Sequence, residues 1–319
     1  MKIFRDLTEF TPPPHPAVTI GTYDGIHAGH QKILSRLIKL ARQQNGESVL
    51  LTFWPHPRLV LQPTNHDLKL INTMDEKIDL LRRAGLDNLL MVPFSKKFAN
   101  ISKDEFIEEI LVNNLQTRSL IAGYDHRFGK NREGDFKDLE NASGKYGFYL
   151  EEIPAQTVND IAVSSTKIRN ALAEGDIETA NGYLKYPFFL TGQVEEGDRI
   201  GRDLGYPTAN ISIKEEYKLI PDNGVYVVLV KWQGQLLKGM LNIGYRPTVS
   251  GTKKMIEVNI FDFNQEIYGE TLRIFLLHRI RDEVKFADLE ELKTQLGQDK
   301  EKALHYFAKN SPEGGVVGL

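Results

Sequence analysis

Along the first half of the chain, short apolar runs alternate with stretches of helical spacing. Val18, Thr19 and Ile20 form an apolar, β-branched run that reads as the end of a buried strand, and Ile33, Leu34, Leu37, Ile38 and Ala41 follow at the spacing of one helix face. Residues 48–53, 89–92 and 119–122 read as further strands. Residues 76–84 read as a helix stopped by Gly85, and residues 103–112 as another. Strands alternating with helices predict βαβ units and a parallel sheet, in which ligands lie beyond the carboxyl ends of the strands. Gly21, the run Pro55-His56-Pro57, and Gly123 each follow a strand, so all three belong to one edge of that sheet.

The pattern changes near Lys185-Tyr186-Pro187. Strand-like runs at 225–230, 236–243, 255–261 and 271–277 are separated by turns rich in Gly, Pro, Asn and Asp, which predicts an antiparallel barrel or sandwich. A closing helix carries Leu289, Leu292 and Leu296 on one face, and the Gly-rich residues 314–319 read as a frayed tail. The expected organisation is therefore a Rossmann-like α/β domain over residues 1–185 and a small antiparallel β-barrel domain with a C-terminal helix over residues 186–319. A length of 319 residues suits two domains.

Composition narrows the function classes. Hydrophobic and charged fractions of 41% and 26% are ordinary for a globular protein, and basic and acidic residues nearly balance in both halves, leaving no electrostatic footprint for nucleic acid. The chain has no cysteine, which excludes disulfides, thiolate metal sites and a cysteine nucleophile. There is no apolar run of about 18 residues and no apolar signal core behind Met1, so a cytoplasmic enzyme off the membrane is expected.

Residues 21–30 read Gly-Thr-Tyr-Asp-Gly-Ile-His-Ala-Gly-His, where a strand turns into a helix. Glycines admit a ligand close to the backbone, and the N–H groups of a helix start attract anions. His27 and His30 fit a triphosphate best by residue type, with half of a metal site and ordinary loop chemistry as the alternatives. Residues 52–57 (Thr-Phe-Trp-Pro-His-Pro) make a rigid turn. Residues 123–135 pack aromatic, acidic and basic groups between glycines and on spacing alone read first as a solvated loop. In residues 164–169 (Ser-Ser-Thr-Lys-Ile-Arg), Ser165 or Thr166 caps a helix, or the same hydroxyls hold phosphate beside Lys167 and Arg169.

These four segments, in this order, resemble the signatures of bacterial FAD synthetases, within the nucleotidyltransferases that carry a His-x-Gly-His motif. The resemblance implies that FMN's phosphate attacks the α-phosphorus of ATP and pyrophosphate leaves. It places Gly21, Tyr23, Asp24 and Gly29 with His27 and His30 on the ATP phosphates, the two imidazoles stabilising the transition state. Ser164, Ser165, Thr166, Lys167 and Arg169 would close on the triphosphate, with Mg²⁺ offsetting its charge. His56, Gly123, Asp125, Arg127 and Phe128 would line the flavin and adenine region. Asp125 stands where some members have Asn, and Tyr23 where Phe is common.

In the second half, residues 197–210 are glycine-rich but lack a following Gly-Lys-Ser/Thr, so a P-loop fails. Thr208 and Asn210 would share one face of a strand, as would Glu257 and Asn259 opposite Ile256, Val258 and Ile260. By pattern alone these are ordinary polar strand faces. The stretch Gly197-x-x-x-Gly201-Arg202-x-Leu204-Gly205-x-Pro207-Thr208-Ala209-Asn210 closely resembles bacterial riboflavin kinases. So do residues 224–226, 242–248, 268–269 and 277–281. That likeness implies Glu257 as general base for the ribityl 5′-hydroxyl and Thr208 and Asn210 as Mg²⁺ ligands. It assigns nucleotide or flavin contacts to Gly197, Gly201, Arg202, Gly205, Pro207, Asn242, Gly244, Arg246 and Arg279, while Asn259 stands where His is commoner. The implied substrates and products are riboflavin, FMN, FAD and ATP. Rival readings are a non-catalytic flavin-holding second module and a flavin-sensing regulator.

Overall fold

The computed structural model of the chain describes residues 1–61, 68–124, 126–158, 161–197, 201, 204–248 and 251–310. Asp125 and Arg202 lie outside them, and the side chain of Arg246 is likewise not described.

Every residue of β2 (Ala17–Ile20) is buried, as are most of those in β3 (Ser48–Trp54), β4 (Asn88–Pro93) and β5 (Ser119–Gly123). Runs this apolar need cover on both faces, the condition of a parallel sheet. With β1 (Lys2–Phe4) and β6 (Tyr149–Ile153) they form a six-stranded, all-parallel sheet in the order β1-β4-β3-β2-β5-β6. The helices are α1 (Ala28–Gln43), α2 (Pro57–Leu61), α3 (Met74–Arg83), α4 (Lys103–Glu105) and α5 (Phe136–Tyr146). A two-stranded hairpin, β7 (Thr157–Val158) and β8 (Ile161–Ala162), follows β6. The expected helix over 103–112 opens with a Ser102–Glu105 capping box but widens into a π-helical run, Phe106–Asn114. That run sends Phe106, Ile107, Ile110 and Leu111 into the core with Val18, Val49, Leu90 and Leu120 of the strands.

The second unit holds α6 (Ser165–Ala173), α7 (Ile177–Leu184) and six antiparallel strands. These are β9 (Phe189–Glu195), β10 (Ala209–Ser212), β11 (Gly224–Trp232), β12 (Gln235–Thr248), β13 (Gly251–Ile260) and β14 (Thr271–Arg281). They close as β10-β13-β12-β11-β14-β9, so the architecture is a barrel and not a sandwich. The final helix, α8 (Leu289–Lys309), packs on β11, β12 and β14. Its fully buried Asp299 takes a forked ion pair from Arg281 at 2.8–3.1 Å and a bond from Gln295.

The two compact units are Met1–Leu68 with Met74–Ser164, and Lys69–Thr73 with Ser165–Leu319. The hydrophobic pattern shifts near 185–187 because barrel strands begin at Phe189, whereas the compact division falls earlier, after Ser164. Asn181 of α7 shows why: its amide donates to Leu276 O (2.9 Å) and its oxygen accepts from Phe188 N (2.7 Å). Residues 69–73 join the barrel unit through paired backbone bonds, Leu70 N to Tyr217 O (2.7 Å) and Leu219 N to Leu70 O (2.8 Å). The buried ammonium of Lys218 adds bonds to Ile71 O and Phe189 O, under the face of Phe188.

Candidate active sites

Because β3, β2 and β5 are neighbours and parallel, the loops after them leave one edge of the sheet. Residues 21–30, Pro55-His56 and 123–128 therefore share that edge. His27 is the N-cap of α1, and its Nδ1 accepts from His30 N–H at 3.4 Å, which leaves the proton of a neutral ring on Nε2. The two imidazoles stack at 3.7 Å between centroids, and Tyr23 stacks on His30 from the other side at 4.5 Å. Thr19 gives its hydroxyl proton to Ile121 O, so the Tyr23 hydroxyl donates to Thr19 at 3.0 Å and the ring is fixed. Gly21 and Gly29 are needed for this stack. A Cβ on Gly21 would lie 3.1 Å from the Tyr23 ring, and one on Gly29 3.2 Å from that of His27.

Burial, with His27 and then Lys77 adding to it, holds the His30 imidazole well below its ordinary pKa, so it is neutral. Its Nδ1 is buried without a hydrogen-bond partner. Asp24 is buried in the same turn. Lys77, from α3, is buried and donates to Thr22 O at 2.8 Å; the sequence reading did not single it out. It precedes the buried Leu80 and Leu81 by three and four residues, so a charged residue on an apolar helix face was the signal available. Among the described residues no group of three or more His, Cys, Asp or Glu is placed to hold a metal ion, and the metal half-site reading of His27 and His30 gains no third ligand.

Around the same edge, His56 is buried and accepts from Arg58 N. Phe128 is buried, stacks on His126, packs at a tilt against Phe106, and pairs by backbone with Gly134, while Arg127 bridges to Asp135 at 3.2 Å. Gly123 ends β5. Ser164 closes the first compact unit, and Ser165 to Arg169 open the second as the start of α6. There Thr166 and Lys167 are exposed, and Arg169 Nε donates to Lys69 O.

In the barrel, Asn210, Glu257 and Asn242 lie side by side on β10, β13 and β12. Directly paired residues project to one face, so all three enter one cavity, together with Thr208, Asn259 and Gly244. The alternation expected over 255–260 is present: Ile256, Val258 and Ile260 are buried on the opposite face. Leu292 and Leu296 of α8 and Phe286 supply an apolar wall. The Asn210 Oδ1 is buried with no hydrogen-bond partner, an orphaned oxygen that fits a hard cation. Gly197 lies against the Asn210 amide, and Gly201 against the Thr208 hydroxyl. Asn259, which stands where His is commoner, donates to Pro207 O at 2.7 Å and so holds the segment leading to Thr208. Gly205, just before it, has φ +84°.

Arg279 is not a lining residue of this cavity. Its guanidinium bonds to Glu174 O, Asp222 and Asn223 O and lies over the Tyr226 ring, whose phenol burial pushes up to about 12.

A glycine-rich strand–helix junction on a parallel sheet, and a carboxylate facing neutral oxygens in a small barrel, are the two candidate sites of a two-module protein. The sequence profile of the FAD synthetase family matches residues 11–167, and that of riboflavin kinase matches residues 184–307. The bifunctional riboflavin kinase/FMN adenylyltransferase of Haemophilus influenzae is 38% identical over 91% of this chain and 94% of its own length. That of Escherichia coli is 36% identical over 98% and 100%. A solved structure described as a macrolide-efflux protein from Streptococcus pneumoniae, 34% identical, superposes with a TM-score of 0.86 over 94% of this chain and 97% of that one. The chain belongs to the bifunctional riboflavin kinase/FMN adenylyltransferase family. No helix among its described residues is long and apolar enough to cross a membrane.

Proposed function

We propose that the enzyme carries out its two reactions at the two places just described: adenylyl transfer at the His27–His30 edge of the sheet, and phosphoryl transfer in the barrel cavity at Glu257. The chain is a riboflavin kinase and FMN adenylyltransferase, converting riboflavin and ATP to FMN, then FMN and ATP to FAD and pyrophosphate. The observation that carries the siting is the register Asn210–Glu257–Asn242, which puts a base and neutral oxygens on adjacent rungs.

In the barrel, Glu257 accepts the proton of the ribityl 5′-hydroxyl as that oxygen attacks the γ-phosphorus. Thr208 and Asn210 would hold Mg²⁺ beside the ATP phosphates, where the ion would supply charge screening. Asn242 and Gly244 border the substrates, with Gly197, Gly201, Gly205 and Pro207 forming the strap around the phosphates, and Arg202 and Arg246 completing the kinase set.

At the sheet edge, FMN's phosphate is already a nucleophile at neutral pH, so positioning and charge stabilisation suffice. His27 and His30 donate to the phosphate oxygens. Gly21, Tyr23, Asp24 and Gly29 shape the turn; to Ser164, Ser165, Thr166, Lys167 and Arg169 the family likeness assigns the leaving pyrophosphate. His56, Gly123, Asp125, Arg127 and Phe128 border flavin and adenine. Residues 1–185 carry the second reaction and 186–319 the first. The balanced charge supports small-molecule partners over nucleic acid, and a cytoplasmic place of action where ATP is abundant.

The test is incubation with ATP, Mg²⁺ and, in separate reactions, riboflavin or FMN, with FMN and FAD resolved by chromatography for the wild type, His30→Ala and Glu257→Gln. Sequential FMN and FAD from the wild type, selective loss of FAD in the first variant and of FMN in the second support the siting. Equal loss of both reactions in either folded variant overturns it.

A further inference from the structure

A buried ammonium is expensive unless something needs it there, and a methionine would fill the same space in α3 without that cost. Lys77 is 3% exposed, and its ammonium donates to Thr22 O at 2.8 Å. Thr22 follows the carboxyl end of β2 by two residues and opens the turn that delivers His27. That turn is strained: Tyr23 has φ +48°, Gly25 +87° and Ile26 +39°. Two of these are side-chain-bearing residues in the left-handed region, an arrangement that persists only when its surroundings hold it. The carbonyl at its head has two donors, Lys77 Nζ and, more weakly at 3.4 Å, Thr52 Oγ1. Asp24, 1% exposed and in the same turn, is the carboxylate that acts on the ammonium. The opposing pull of burial lowers the pKa of Lys77, and its charge in turn disfavours a proton on His30.

We propose that Lys77 is a positioning residue for nucleotidyl transfer, its buried ammonium bracing the 22–26 turn through Thr22 O and Asp24 and setting a fixed positive charge behind the His27–His30 stack. The inference rests on the siting of adenylyl transfer at that stack. A fixed charge in a dry setting favours the incoming polyphosphate without reorganising when it arrives. The brace keeps the stacked rings where the α-phosphate passes, and misplacement by about 1 Å costs on the order of 10²-fold in rate.

The experiment uses the full chain. The kcat and the KM for ATP and for FMN in adenylylation are measured for Lys77→Met, Lys77→Arg and His30→Ala, with near-ultraviolet circular dichroism for the fold. Riboflavin phosphorylation by the same preparations is the internal control. Lys77→Met is expected to lose about 10²-fold in kcat with each KM within about threefold of wild type, and Lys77→Arg to recover at least tenfold of that loss. Retention of kcat by Lys77→Met, a loss confined to KM, or Lys77→Arg no better than Lys77→Met overturns the proposal. Failure of both Lys77 variants to fold also overturns it, because Lys77 then serves the fold alone. If His30→Ala loses FAD formation while Lys77→Met keeps it, only the role of Lys77 is wrong. If both variants keep it, the siting itself is wrong.

Discussion

Asn210 on β10 stands directly opposite Glu257 on β13, and Glu257 is in turn paired with Asn242 on β12. Side chains on such rungs are about 5 Å apart, the span over which a base and a metal ligand can act on the same hydroxyl and phosphate. Glu257 is the one carboxylate among the three.

An alcohol is almost un-ionised at neutral pH, so removing the basicity of Glu257 while keeping its size isolates the proton transfer. Glu257→Gln is expected to lower the turnover of riboflavin phosphorylation by about 10²–10⁴-fold, with FMN adenylylation unchanged. A turnover within about threefold of wild type at saturating riboflavin and Mg-ATP would return Glu257 to an ordinary solvated glutamate.

Asn210 Oδ1 is the orphaned oxygen of the cavity. Asn210→Ala is expected to raise the Mg²⁺ concentration for half-maximal kinase activity by about tenfold or more, comparable to other losses at a metal site. Chelation should stop phosphorylation in wild type and variant alike. A magnesium titration that superposes on wild type would count against the ligand role.

His30→Ala removes one of the two stacked imidazoles. FAD formation is expected to fall on the order of 10²–10³-fold while riboflavin phosphorylation survives. A requirement for zinc in adenylyl transfer would sink the phosphate-binding role.

The same imidazole predicts a stability profile. His30 resists protonation when folded, because of burial, His27 and Lys77, but takes a proton in the unfolded chain near the ordinary value of 6.5. The unfolded state then binds more protons, so stability is full above about pH 6.5 and declines as the pH falls below it. Denaturant melts of the ligand-free protein from pH 7.5 to 5.5 should show this decline, and His30→Ala should reduce its slope. Equal slopes would place the titration elsewhere.

A fragment starting at residue 165 retains α6 and α7, whereas one starting at 187 strips Phe188 N and Leu276 O of their partner Asn181. Each buried group left unpaired costs about 1–3 kcal/mol. Both fragments are expected to phosphorylate riboflavin, with the shorter one melting at lower denaturant. A folded fragment from 187 with no kinase activity would refute a kinase module confined to 186–319.

The sheet and barrel strands were legible because their periodicities differ: continuous apolar runs such as 48–53 against the alternation of 255–260. The His27 turn was legible from its glycines and imidazoles. Lys77 escaped because a lysine in an amphipathic helix is normally solvated, and only its position before Leu80 and Leu81 marks it as buried. Arg279 has the chemistry of a phosphate clamp, yet its donors go to Glu174 O, Asp222 and Asn223 O, partners remote in sequence that spacing cannot reveal. The widened helix at Phe106–Asn114 leaves the apolar pattern unchanged, so periodicity did not register it.

Residues 69–73 give the chain an order of events during synthesis. Ile71 O awaits a lysine 147 positions later, and Leu70 and Ile71 are almost fully buried once that partner arrives. At ribosomal speeds of about 5–20 residues per second, the interval lasts roughly 7–30 s. In the later part of that time, once β6 has been made, the first sheet can be complete while the apolar stretch 69–73 stays uncovered. The nascent protein therefore carries a piece of its second unit, made early, that waits for residues 217–219 to cover it.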